Sequence, residues 1–219
     1  MKTFLCIGAG PGMGFATAER FAKEGFRVVL SARHENKTME LADRLKSKGY
    51  SADVRIADAS EARSITALIT DIEREFGPID VLHYNAASMR KATIAEQPAE
   101  TFNSDLAVNV GGAQAAIKAA SAKMIERGFG SVLLTGGGFA LFPHPDYLSL
   151  SIGKSGIRAL AQGLFESFRD KGVHIATVTV AGFVHPGSKD AEAVAEQFWQ
   201  LHSQPKGAWT FETTYTPEG

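Results

Sequence analysis

The chain has 219 residues, 44% of them apolar and 21% charged, which suits one domain with a buried core and excludes a disordered chain. Its formal net charge is −1 and its basic residues are scattered, so neither nucleic acid nor an anionic membrane surface is expected as a partner. The single cysteine, Cys6, rules out an internal disulfide and fits a reducing compartment.

Phe4–Ile7 is a short apolar run cut off by Gly8, Gly10, Pro11 and Gly12. It is too short for a secretion signal or a membrane span and reads as a buried strand in a cytoplasmic protein. Phe15 to Lys23 follows with apolar residues at helical spacing (Phe15, Ala18, Phe21, Ala22), and Gly25 stops that helix. Val28–Leu30 predicts a second strand and Thr38 to Lys48 a second helix, closed by Gly49. Ala52–Ala57 alternates like a strand, Ala62–Phe76 is a helix ended by Gly77-Pro78, and Ile79–Tyr84 is a fourth strand. One long helix is expected from about Ala99 to Arg127, then a strand over Ser131–Thr135, a helix over Ser149–Lys171 and a strand over Val173–Val180. A helix over Ala191–His202 and a strand near Trp209–Thr214 complete the chain.

Strands alternating with helices of ten or more residues mean right-handed crossovers and a parallel sheet covered on both faces. The expected architecture is a single α/β domain over residues 1–219, a doubly wound sheet of about seven strands.

The turn Gly8-Ala9-Gly10-Pro11-Gly12-Met13-Gly14 joins the first strand to the first helix. There the backbone can approach a pyrophosphate, and the helix start offers free N–H groups and partial positive charge. The alternative is a turn in which glycine only relieves crowding. Its place between a strand and a helix of a βαβ unit favours a Rossmann-type dinucleotide site. The second strand ends in Ser31-Ala32-Arg33, without the acidic residue that binds the ribose 2′-hydroxyl of NAD. Arg33 can pair with a 2′-phosphate, which favours NADP(H) over NAD(H); otherwise it is a solvated loop charge.

These motifs together resemble the short-chain dehydrogenase/reductase family over essentially the whole chain. Gly8-xxx-Gly12-x-Gly14 is similar to its cofactor turn, and Asp58 to the aspartate that contacts the adenine. Asn85-Ala86-Ala87 resembles the asparagine-alanine-glycine motif, with Ala87 in place of glycine. Asn109 and Lys154 match the asparagine and lysine of the catalytic tetrad, and Ala181-Gly182-Phe183-Val184 the turn that meets the nicotinamide amide. The resemblance implies a hydride transfer between nicotinamide and a small carbonyl or alcohol substrate, in a homodimer or homotetramer.

The departures are as specific as the matches. Four residues before Lys154, where the family carries its tyrosine, stands Leu150; thirteen before that, in place of the serine, stands Gly137. Pro11 and Pro186 also depart from the family pattern. The resemblance leaves Lys154 to hold the ribose and Asn109 to anchor a water. Tyr147, seven residues before Lys154, would return to nearly the same helix face if Asp146 caps that helix, and is the candidate proton donor. The alternative packs the Tyr147 ring on the pocket wall. His83 inside a strand reads as a core residue, and His34, His144, His174, His185 and His202 have no metal spacing. His144, between Pro143 and Pro145, could reach a substrate. Two functions stay open: an oxidoreductase with a rearranged acid, or a cofactor-binding protein without turnover that serves as a sensor or an oligomeric partner.

Overall fold

In the computed structural model, which describes residues 1–217, seven parallel strands form one sheet in the order β3-β2-β1-β4-β5-β6-β7. The strands are β1 (Thr3–Ile7), β2 (Arg27–Ala32), β3 (Ala52–Ile56), β4 (Val81–Tyr84), β5 (Gly130–Thr135), β6 (Val173–Val180) and β7 (Glu212–Tyr215). The helices are α1 (Met13–Lys23), α2 (Glu35–Lys46), α3 (Ala62–Phe76), α4 (Ala99–Leu106), α5 (Gly112–Arg127), α6 (Leu148–Asp170) and α7 (Lys189–Ser203).

The two-residue period of β1 divides its side chains between two cores. Leu5 and Ile7 join an apolar layer under α3, α5 and α6, while Phe4 and Cys6 join the layer under α1, α2 and α7. Burial at both faces explains why β1, β4 and β5 read as mostly apolar runs without a two-residue alternation. It also removes Cys6 from chemistry, because the desolvated thiol is pushed up to about 12.

The expected long helix is broken. Its α4 and α5 halves are joined by a π-helical turn over Ala107–Gly111 that carries Asn109. The turn consists of Ala107, Val108, Asn109, Val110 and Gly111, residues that also occur within helices, so the sequence carries no mark of the break. Several ends also move. α2 starts at Glu35 rather than Thr38, because its first turn faces solvent and carries no apolar mark. The fourth strand starts at Val81, since Asp80 turns its carboxylate back onto the Thr3 N–H (2.7 Å). The last strand starts at Glu212, because Lys206–Ala208 forms a short 3₁₀ turn and Trp209 stacks on His174 with centroids 4.7 Å apart. α6 begins at Leu148, and Tyr147, not Asp146, is the residue before it; its side chain makes no cap.

Candidate active site

The sheet order reverses direction between β1 and β4, so crossovers leave on opposite faces and open a crevice at the strands' C-terminal ends. A cleft of about 670 Å³ lies there, lined by residues from every loop that follows β1 through β6. No helix among the described residues is long and apolar enough to cross a membrane.

Gly8 ends β1 with φ +89°, and both its N–H and that of Ala9 donate to the Ser31 carbonyl at 2.8 and 3.0 Å. A Cβ on Gly8 would lie 2.3 Å from the Ala86 nitrogen, so only glycine lets the loops after β1 and β4 meet. Gly14, on the first turn of α1, lies close to Asn85: an added Cβ would fall 3.0 Å from its Nδ2. Gly12 caps α1 without a side chain, Gly10 faces open space, and Met13 lines the cleft. No acidic residue occupies the first turn of α1 and no side chain caps it, so nothing there competes with an anion. A dinucleotide's pyrophosphate fits this cradle.

At one end of the cleft stand Arg33, His34, Ala57 and Ala59. Arg33 is exposed and makes no ion pair within 4 Å among the described residues, although its charge reaches Asp58. Asp58 itself is not in the lining. Its Oδ1 accepts from the Ser60 N–H and hydroxyl, both at 2.8 Å, and these bonds hold the carboxyl below its ordinary range. The side chain braces the loop after β3, and its alanine neighbours form the wall. Val184 likewise packs toward the core beside α7, while Gly182 lines the cleft.

The other end is built on Thr135, Gly136, Gly137 and Gly138 after β5, with Leu150 and Lys154 from α6. Thr135 is a junction. Its hydroxyl donates to Asn85 Oδ1 (2.9 Å), and Asn85 Nδ2 donates to the Gly8 carbonyl (2.8 Å). Since that hydroxyl has one proton, His83 Nε2, 3.0 Å away, is the donor in that contact and its Nδ1 is left bare. His83 is fully buried against Phe198 and Phe4, and burial, with the Lys154 charge second, pushes it down to about 3. It is a neutral core histidine that ties β4 through Thr135 to the glycine turn. The Thr135 carbonyl accepts from Lys154 Nζ at 2.7 Å, and burial alone pushes Lys154 down to about 8.

Asn109 is brought near this end, but its side chain is occupied. Oδ1 accepts from the Ser88 N–H (2.7 Å) and Nδ2 donates to the Ser88 carbonyl (3.2 Å). It packs against Gly153, where a Cβ would fall 2.5 Å from its own, so it positions the loop after β4 and the start of α6, and does not face the cleft. The sequence did not single out its neighbour Asp105, a buried carboxylate. It accepts from the Ser88 and Ser149 hydroxyls, from Gln97 and from Arg90. These four donors come from the 88–97 loop and α6, and no spacing in the sequence links them.

Tyr147 does not fall where helical phase puts it. With φ −134° and ψ 41° it is outside the helix, so counting 100° per residue back from Lys154 fails at this position. Its ring stacks on Phe139 (5.4 Å) and touches His144 and Phe183 (5.7 and 6.1 Å). Phe139, His144 and Phe183 line the cleft; Tyr147 backs them. His144 is held in place, since its Nδ1 accepts from the Asp146 N–H and its own N–H donates to Ser151 Oγ, each at 3.1 Å. With Phe142, the most exposed ring, these side chains form an apolar collar at the mouth.

The sheet order, the glycine cradle at the switch point and a half-buried lysine at the far end define a dinucleotide-binding oxidoreductase domain. The sequence pattern of the short chain dehydrogenase family matches residues 2–196, and the chain belongs to that family. Glucose 1-dehydrogenase of Gluconobacter oxydans is 28% identical over 187 residues, which cover 84% of this chain and 70% of that protein. A short-chain dehydrogenase from Rhodopseudomonas palustris superposes with a TM-score of 0.90 at 27% identity, covering 99% of this chain and 98% of the other. A metagenomic short-chain oxidoreductase solved in complex with NADP superposes at 0.91 and 22% identity, over 99% and 97% of the two chains, and shares the fold.

Proposed function

We propose that the protein interconverts a small carbonyl compound and its alcohol with NADP(H) in preference to NAD(H). The observation that carries this reading is one continuous cleft with the glycine cradle and unpaired Arg33 toward one end and Lys154 at the other. When bound, the nicotinamide supplies or accepts the hydride. The chain's residues do the rest. The Gly8–Gly14 turn receives the pyrophosphate, Arg33 pairs with a 2′-phosphate, and Lys154 offers N–H groups to the ribose. The collar of Phe139, Phe142 and Phe183 excludes water from the reacting end and favours a substrate with an apolar body. A cofactor-holding protein without turnover is the poorer reading, because the chain belongs to a family of dehydrogenases and resembles a glucose 1-dehydrogenase along most of its length.

Calorimetric titration with NADPH and NADH tests the cofactor, and loss of NADPH absorbance across a panel of aldehydes and ketones tests the reaction. NADPH should bind more tightly, and Arg33→Ala should weaken it by about 10- to 100-fold, the scale of one charge-assisted hydrogen bond, with NADH little changed. Equal affinities in the wild type, or an unchanged NADPH affinity in the variant, would refute the preference. We further expect α5 and α6 to pair with a second copy across a two-fold axis, giving a homodimer or homotetramer. A concentration-independent monomer in analytical ultracentrifugation would rule that out.

A further inference from the structure

The reacting end of the cleft has few side chains able to part with a proton. Thr135 is committed to His83 and Asn85, Tyr147 lies behind the collar, and Leu150 and Gly137 carry no polar side-chain atom. We propose that the ammonium of Lys154 is itself the proton donor, delivering to the substrate oxygen directly or across one water, and that its amine recovers the proton in the reverse direction. The proposal rests on the oxidoreductase reading above.

Two features of the site place the ammonium for this task. Gly137 leaves room for the lysine stem, because a Cβ there would already lie 3.2 Å from Lys154 Cγ and 3.4 Å from Cδ and Cε. Leu150, four residues earlier on the same face of α6, is buried and apolar, so no hydroxyl from that position intervenes between Nζ and the cleft. The described residues give Nζ one acceptor, the Thr135 carbonyl, which leaves two of its three N–H bonds for ligands.

Among the described residues the ammonium has no carboxylate partner, and burial alone brings it to about 8, within reach of neutral pH. The titratable groups nearest it are His83, neutral behind Thr135, and His144 in the same cleft lining, with Tyr147 behind His144. In reduction, the carbonyl carbon takes the hydride that the reduced nicotinamide supplies. The electron pair of the C=O π bond then forms the O–H bond with the lysine proton. Lys154 is left as an amine and regains its proton from water.

Two measurements test this. In protein labelled with ¹³C at lysine Cε, the resonance lost in Lys154→Met should titrate with a midpoint near 8. The single-turnover rate of NADPH oxidation by an aromatic aldehyde should fall above that same pH. Lys154→Arg keeps a cation but cannot release its proton in this range. It should hold NADPH within a few-fold of wild type, slow the hydride step by about 10²- to 10⁴-fold and abolish the pH limb. An ammonium that stays protonated past pH 10 overturns the proposal, as does hydride transfer at the wild-type rate in Lys154→Arg. A pH limb that survives in Lys154→Arg and vanishes in His144→Gln or Tyr147→Phe overturns it by assigning the proton elsewhere. Absence of turnover by the wild type across the carbonyl panel overturns the oxidoreductase reading and this proposal with it. Turnover in the wild type with no response to Lys154→Arg overturns this proposal alone.

Discussion

Two glycines of one turn, Gly8 and Gly10, should respond differently to the same substitution. Gly8→Ala puts a methyl group on a backbone at φ +89°, where a side chain costs about 1–2 kcal/mol. That methyl carbon would also lie 2.3 Å from the Ala86 nitrogen and 2.4 Å from its Cα, which is backbone and cannot rotate away. The Ala86 segment is pinned by the Asn85 N–H donating to the Ile7 carbonyl (2.8 Å), so relieving the contact disturbs the β1–β4 pairing at the centre of the sheet. Overpacking of this kind costs about 1–3 kcal/mol more. A combined loss of about 3 kcal/mol should lower the Tm by about 6–12 °C in a domain of this size. Gly10→Ala meets nothing within 4 Å and has no positive φ, so its Tm should stay within about 1 °C of wild type. Scanning calorimetry of both variants without cofactor decides the matter. A Gly8→Ala protein as stable as Gly10→Ala would refute the claim that close approach of the two loops requires glycine at residue 8.

Other expectations follow from buried polar groups. Unfolded histidine takes up a proton near 6.5, but His83 in the fold resists protonation down to about 3. Its contribution is therefore complete above pH 6.5 and is lost as the pH falls from 6.5 toward 3, at about 1.4 kcal/mol per pH unit. Urea titrations at pH 7.5 and 5.5 should show that loss in the wild type and a smaller one in His83→Phe; the same difference in both would refute the assignment. Asp105→Ala should cost about 3 kcal/mol, because it strands the donors of Ser88, Gln97 and Ser149 and the charge of Arg90. Hydrogen exchange should then quicken across residues 88–97, and unchanged protection there would count against Asp105 as the clamp of that loop. Tyr147→Phe should leave the free protein's stability within about 0.5 kcal/mol of wild type, since the ring rather than the hydroxyl makes its described contacts. A loss above about 2 kcal/mol on denaturant unfolding would reveal a hydroxyl bond that the ring packing does not explain.

The strands and their order of use were legible because local chemistry writes them. Phe4–Ile7 and Val28–Leu30 are apolar on both faces, Val173–Val180 is rich in β-branched residues, and a glycine marks the end of most helices that separate such runs. The glycine cradle was legible for the same reason, since its function is a property of consecutive backbone units. Asp58, Val184, Asn109 and Tyr147 were placed by motif or helical phase, and each turns its side chain elsewhere: to Ser60, to the core beside α7, to Ser88 and to Phe139. The π turn at Ala107–Gly111 and the non-helical backbone at Tyr147 carry no distinguishing residue pattern, so the sequence does not report them. The Asp105 clamp and the His83–Thr135–Asn85–Gly8 relay join residues up to 77 positions apart. The doubly wound sheet and the glycine turn at its switch point follow from neighbouring residues and could be read directly. Which polar groups face the cleft and which are consumed in holding it open is set by the folded arrangement. Hydrogen bonds and burial there depend on partners that the chain brings together only once it has folded.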